Sequence, residues 1–506
     1  MSAAPKIANQ SESLLAIDWY GLACGEGARR FTLGAGAKLV VIAAALITAL
    51  NFYAPASPTF MERLLASAII LACFAPTLLW MNRTDRAIPF LPFVMVFFAF
   101  TYAVPVFLLR RFSTEVFRDP ETPHDVTLAL AYSLLGLMCL YAGYYGIVGR
   151  AVSDILPRIN LRWRDPRAVK FVSLALTLLG LVTSASHAEN HVPEQLALIL
   201  SYVGDFSLIG ICALVALQLT GNLDRVTSIL IWGVFVPTRF FAGLGGAALA
   251  SAMGIGIMIL VIYATVRRRI PWTIFALGIA VVFVLRPIEI PYRIMTGKGG
   301  PLADASLVEK IGGLGDLLYR ATVGGIVPAP VFIEACSNRL AQFTIFASVI
   351  HNTPGRVPYW EGESYAPLLT KLIPRLIMPD KPEEISGQTF GHRYGLISNS
   401  NTNTSVNLPQ LVECYANFGV PGVIVGMFLI GLLYRMIIAI YVHPRMGLGA
   451  MIGAVYVTSR IFDIGSAASM VLGGIPFDML AMAIFHLAVE VLEIDVRAFM
   501  PSERSA

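Results

Sequence analysis

Long apolar runs recur along this chain, each long enough to cross a bilayer as a helix. A span needs about 17–25 predominantly apolar residues. By that measure about twelve segments qualify, near 37–54, 64–80, 88–109, 127–148, 168–187, 195–219, 227–243, 244–266, 271–288, 417–442, 446–464 and 476–494. The segments 227–243 and 244–266 abut at Gly243-Leu244-Gly245-Gly246, so they read either as two helices or as one broken helix. Backbone in hydrocarbon must satisfy its own hydrogen bonds, which makes the expected fold all-α, a polytopic membrane helix bundle. Composition agrees: 56% of residues are hydrophobic and 14% charged, with mean hydropathy +0.70, against about 25% charged in a soluble domain. This excludes a soluble enzyme, a nucleic-acid-binding protein and a disordered scaffold. The net charge of +5 reflects membrane topology and implies no nucleic-acid partner.

Basic residues set the expected orientation. Arg83, Arg86, Arg158, Arg162, Arg164, Arg167, Arg225, Arg267, Arg268, Arg269, Arg445, Arg497 and Arg504 fall on one side of a twelve-span arrangement. The short loops of the other side carry Arg63, Arg110, Arg111 and Arg118. The positive-inside rule then puts both termini in the cytoplasm. Residues 1–36 are mixed and polar, which predicts no cleavable signal peptide. The expected organisation is a cytoplasmic tail over 1–36, helices one to nine within 37–288, one large outer loop over 289–416, helices ten to twelve within 417–494, and a cytoplasmic tail over 495–506. The loop carries an amphipathic stretch over 328–350, with Phe332, Cys336, Leu340, Phe343 and Phe346 at helical spacing. It is broken by Pro354, Pro358, Pro367, Pro374, Pro379 and Pro382, and Ser398–Ser405 reads as a polar tip. Its aromatic and apolar stretches predict a cap packed on the bundle.

Charges inside spans are costly and mark function by default. Arg239, Arg286 and Arg460 fall near outward helix ends, Arg435 reads as a snorkelling side chain, and Asp205 sits mid-helix without a sequence partner. Asp463, three residues after Arg460, is spaced to pair with it. Guanidinium groups gathered at the outer face suit a phosphate or pyrophosphate ligand at headgroup depth. No metal site is expected: His187 and His191 share a helical spacing, but Pro193 and the loop setting oppose it. Cys336 and Cys414 both lie in the outer loop, and their pairing is left open.

The loop holds the richest motifs: Tyr359-Trp-Glu-Gly-Glu-Ser-Tyr365, then Ile373-Pro-Arg-Leu-Ile-Met-Pro-Asp-Lys-Pro382, Gly391-His-Arg-Tyr394 and Glu413-Cys-Tyr-Ala-Asn-Phe-Gly419. This series resembles the bacterial O-antigen and exopolysaccharide repeat-unit polymerases of the Wzy type. In them a long periplasmic loop between helices carries a Pro-Arg-x-x-x-Pro-(Asp)-Lys-Pro element, followed by an acid and Tyr-x-Asn-Phe-Gly at the start of the next helix. The resemblance covers roughly 330–440. Met378 stands where an aromatic is more usual, and the surroundings of Arg239 match only loosely.

The resemblance implies an inner-membrane glycosyltransferase that polymerises undecaprenyl-pyrophosphate-linked oligosaccharide units at the periplasmic face. It needs no cofactor, works among membrane lipid, and keeps company with a chain-length regulator and a flippase of the same pathway. The bond broken joins sugar to pyrophosphate, and arginines placed beforehand would stabilise the leaving group. The candidates are Arg375, Glu413, Asp380 and His392 for the chemistry, and Arg239, Arg339, Lys381 and Arg460 for the pyrophosphate. An acceptor base is sought among Glu413, Asp380 and His392, although Glu413 also suits a cap at the start of helix ten. Tyr359, Trp360 and Tyr365 read as interfacial belt residues ahead of sugar-stacking ones. An O-antigen ligase-like glycan transferase and a polytopic polysaccharide or lipid transporter share the general plan.

Overall fold

The computed structural model describes residues 17, 19 and 33–499, apart from 55–57, 82–87, 110–122, 189–193, 246–248, 268–270, 286–287, 297–299, 304, 323–336, 338–339, 371–386, 401–404 and 444. Among the described residues every regular element is helical. Eight helical stretches among the described residues are long and apolar enough to span a membrane: Phe60–Trp80, Phe90–Leu108, Asp125–Ile155, Pro166–Ser184, Tyr202–Leu219, Arg225–Gly243, Gln410–Tyr441 and Ala468–Ile494. Ala37–Tyr53, Ala252–Arg267 and Leu448–Ser459 are shorter and equally apolar, and Trp272–Leu285 falls where a ninth span is expected. This is a multi-pass helical membrane protein. Its outer helix faces carry large apolar side chains open to the surroundings, among them Phe52, Phe60, Ile147 and Ile155, as lipid contact requires and water would penalise.

Local sequence explains where helices begin. Pro123 and Pro166 occupy first helical positions, where the missing N–H costs nothing. Thr59 and Glu62 form a capping box, each side chain bonding the other's backbone N–H at 3.3 and 2.7 Å. Asp224 caps Arg225–Leu230 by accepting from the Thr227 N–H at 3.0 Å. That helix widens into a π-helical turn, Ile231–Phe235, before continuing as Val236–Gly245. A second helix, Leu249–Arg267, packs against it, so 227–266 forms two helices.

Helix 410–441 packs along helix 123–145, and helix 166–188 along helix 194–219. Helix 468–499 lies against both members of the second pair, while helix 448–459 contacts 194–219 and 249–267. The helix expected from 417 starts at Gln410, with Pro409 as its extended N-cap. Polar Glu413 and Asn417 interrupt the hydropathy there: neighbouring segments bond Asn417 and Glu413 Oε2, while the buried Glu413 Oε1 has no hydrogen-bond partner among the described residues.

Within the expected loop, Gln342–Asn352 is a helix whose Phe343 and Phe346 are fully buried. Phe346 packs against Tyr132 and Tyr415, so this part of the segment docks on the bundle. Positions 328–336 of the amphipathic stretch, with Phe332 and Cys336, lie outside the described residues. Trp360 is not an interfacial belt residue: it is 5% exposed and packs on Phe390 and Tyr394. Aromatic burial within the loop outweighs the preference of Trp for a wet interface.

Candidate functional site

Two motifs that stand some fifty residues apart in sequence lie side by side. The Trp360 N–H donates to the Ala416 carbonyl at 3.0 Å, and the Glu361 N–H donates to the Asn417 carbonyl at 3.2 Å. Asn417 adds its side chain, accepting from the Gly362 N–H at 2.9 Å and donating to the Ser364 hydroxyl at 2.8 Å. Helix 410–441 is kinked directly after, at Gly419 with φ 64° and ψ −145°. A Cβ there would stand 2.9 Å from the Tyr359 hydroxyl, so only glycine allows both the turn and the contact. Arg393 completes the cluster. It grips both Glu363 oxygens at 2.8 and 3.0 Å and lies 5.1 Å from the Trp360 ring centre.

Glu413 is fully buried in the first turn of helix 410–441. Its carboxylate caps a different helix from the one expected. Oε2 accepts from the Ala468 N–H, at the start of helix 468–499, and the Ser364 and Ser469 hydroxyls lie against it. A carboxylate is favoured there by the helix dipole and by the free N–H groups of the first turn. Through Oε2 Glu413 therefore joins these segments away from any open face, while its Oε1, also buried, has no hydrogen-bond partner among the described residues. Gln410, one turn earlier, pins the preceding turn. Its N–H donates to the Ile464 carbonyl at 3.3 Å and its side-chain amide to the Asp463 carbonyl at 3.4 Å.

That pinned turn begins at Arg460, which belongs to a chain of charged groups inside the bundle. Arg460 binds Asp478 through two nitrogens, one to each carboxylate oxygen. Gly474 makes room for this: a Cβ at that position would stand 2.7 Å from the guanidinium carbon. The Tyr456 hydroxyl sits 3.5 Å from Asp478 Oδ1 and donates to Asp205 Oδ2 at 3.2 Å. Asp205 Oδ1 in turn faces Arg239 at 3.7 Å. Four helical segments thus contribute two arginines, two aspartates and one tyrosine. The two ends differ. The Arg460–Asp478 pair is closed. Arg239 meets its carboxylate beyond hydrogen-bond distance, and its buried Nε has no partner among the described residues.

Arg239 and Arg460 are therefore brought together, through the acids between them. Asp463 does not pair with Arg460. It is exposed and accepts from the Ser466 hydroxyl, because Asp478 offers the guanidinium a drier and bidentate partner. Arg435 lies 5.7 Å from the Tyr144 ring centre, a packed cation rather than a free snorkeller. His392 is half-buried on the short helix Gly387–Arg393. Arg375, Asp380, Lys381 and Arg339 lie outside the described residues, as do Arg286 and His191. Cys414 is a buried free thiol, to which the Tyr365 hydroxyl donates at 3.7 Å, so it forms no disulfide. Among the described residues no group of three His, Cys, Asp or Glu gathers at metal-binding distance.

Asp478 and Tyr456 were missed in the sequence. The signal for Asp478 was present, since an acid inside a span is itself a reason to look for a cation. Tyr456 carries no such mark in an apolar helix.

Neither characterised proteins nor solved structures give a match to this chain. A family described as a domain of unknown function (DUF8712) matches residues 165–496, about two thirds of the chain, including the whole of the charged cluster. The chain belongs to that family.

Proposed function

We propose that this protein is a glycosyltransferase that polymerises undecaprenyl-pyrophosphate-linked oligosaccharide units at the periplasmic face of a bacterial inner membrane. Both termini would be cytoplasmic, as the distribution of basic residues implies. The observation that carries the reading is the state of Arg239. A guanidinium has five donors and a fixed fork that suits phosphate oxygens. Here it is largely buried among membrane helices, with Asp205 at 3.7 Å and its Nε without a hydrogen-bond partner among the described residues. An anionic group of a lipid-linked ligand would complete it, and would gain most from it as charge develops on the leaving pyrophosphate. The contact between the Tyr359–Tyr365 and Glu413–Gly419 motifs adds support, because the resemblance to Wzy-type polymerases rests on the second of them. That resemblance also nominates Lys381 and Arg339 for the pyrophosphate, and Arg375, Asp380 and His392 for the chemistry. The partners are the lipid-linked glycan, a flippase and a chain-length regulator.

A deletion strain tests the reading. Loss of this protein should leave single repeat units on the acceptor, and Arg239→Ala, inserted in normal amount, should do the same. Long chains stranded on the carrier lipid would indicate a ligase instead. Full-length polymer on its usual anchor would sink both. A polysaccharide or lipid transporter is the second reading, favoured by the chain of acids and bases inside the bundle, a pattern that transporters use. Purified protein that lengthens lipid-linked units without an ion gradient would exclude it.

A further inference from the structure

We infer that the helix Leu307–Thr322 lies flat in the headgroup boundary of the bilayer, with one face in lipid, one in water and one on the bundle. The inference stands apart from the polymerase reading.

Three stripes run along this helix, each set one residue on from the last and so turned by about 100°. The first, Val308, Gly312, Gly315 and Tyr319, is open, with Val308 77% and Tyr319 61% exposed. The second carries Glu309, Asp316 and Arg320, all exposed, and Arg320 bonds Asp316 at 2.9 Å. The third, Lys310, Leu314 and Leu317, turns inward. Lys310 is fully buried, and Leu314 joins a buried cluster with Leu285, Ile288 and Tyr292. Ile311 and Leu318, both half-buried, fill the arc between the third stripe and the first. The exposed charge is thus confined to one side.

Depth follows from the neighbours. Leu285 ends helix 272–285, which falls where a ninth span is expected and whose Ile274 and Leu277 are open to the surroundings. Leu314 therefore packs at the mouth of a span, where hydrocarbon gives way to headgroups. An apolar stripe beside a charged one at that level is the pattern of a helix in the interface plane. Each glycine of Ile311-Gly-Gly-Leu-Gly315 costs a helix about 1 kcal/mol relative to alanine, and a helix this short is marginal in water. It therefore depends on what covers its faces. A second copy of the chain is a poor cover. The open stripe offers two large side chains with glycines between them, well short of the about 800 Å² per partner of a stable protein interface. Lipid needs no such area, and it already covers the span below. The helix also packs on helix 236–245, which brings the lipid surface beside the segment that bears Arg239.

The test uses the full chain in lipid nanodiscs that hold one copy each. A fluorescent amino acid is placed by amber suppression at position 308, 316 or 319. The lipid carries a nitroxide quencher near the head or near the end of one acyl chain. The nitroxide near the head should quench positions 308 and 319 at least about three times more than position 316, and more than the nitroxide near the chain end does. Aqueous iodide should reverse the order of the positions. Equal or inverted quenching by lipid overturns the inference, because the stripe then does not face the bilayer. Stronger quenching from the chain end also overturns it, because the helix would be sunk in the hydrocarbon. If the labelled chains fail to insert, hydroxyl-radical footprinting reads the wild-type chain directly. Tyr319 should be oxidised at least about five times more slowly than an equally exposed tyrosine in water, because lipid covers it. Oxidation at the full rate overturns the inference.

Discussion

Arg460 closes on Asp478 with one nitrogen to each carboxylate oxygen, across the turn that joins helix 448–459 to helix 468–499. Removing one member of a buried pair strands the other charge, which costs about 3–5 kcal/mol. Asp478→Leu should therefore lower the unfolding temperature in detergent markedly. Arg460→Met combined with Asp478→Leu should recover most of the loss, because no charge is then left alone. A single variant as stable as wild type would show that the pair does not hold this turn.

Glu413 is expected to act through stability. Glu413→Ala leaves the Ala468 N–H and its neighbours without an acceptor, at a cost of about 1–3 kcal/mol. Glu413→Gln keeps an oxygen in place and should lose less. Thermal unfolding of the purified variants gives the order, and polymer output should follow the amount of folded protein. Glu413→Gln that unfolds like wild type while elongation vanishes would return Glu413 to the list of bases.

The helical class was legible because lipid leaves backbone no alternative to internal hydrogen bonds, so the apolar runs have to be helices. The limits of the runs were less legible. Helix 410–441 begins before its hydropathy rises, since Glu413 and Asn417 are paid for by Ala468 and Ser364, contacts that a window along one segment does not contain. The same reason explains the site. Arg239 and Arg460 stood out individually as charges in spans. Their relation runs through Asp205, Tyr456 and Asp478 on other helices, and packing between helices fixes it, not spacing along one. Arg460 and Asp463 were near in sequence and reasonable as a pair, yet a dry bidentate partner across the turn won.

Gly419 should not tolerate a side chain. Its φ of 64° with ψ −145° is a conformation that only glycine adopts without strain, and a Cβ would crowd the Tyr359 hydroxyl. Gly419→Ala should cost about 1–3 kcal/mol and loosen the contact between the two motifs. Tyr359→Phe on that background removes only the hydroxyl contact and leaves ring carbons 3.1 and 3.2 Å from the Cβ, so it should recover a minor part. Protease cutting within 359–365, compared between wild type and variant in nanodiscs, reads the loosening. Equal cutting rates would show that the kink can be reached without glycine.

The Arg393–Glu363 pair predicts a pH response of the motif cluster. Arg393 donates to both oxygens of Glu363 and holds that carboxyl below its ordinary value of 4.5. A lowered value in the folded state means that the pair stabilises fully above the ordinary value, and that its contribution disappears as pH falls through the folded one. The window therefore opens near pH 4.5 and extends downward. The gain is modest, because Glu363 is about half exposed and solvent screens the pair. Hydrogen exchange over 359–397 should accelerate when the protein is taken from pH 7 to below 4.5, after correction for intrinsic rates. Glu363→Gln should already exchange at the faster level at pH 7 and change little on acidification. A wild-type profile that stays flat through this range would mean that the pair contributes nothing to the cluster.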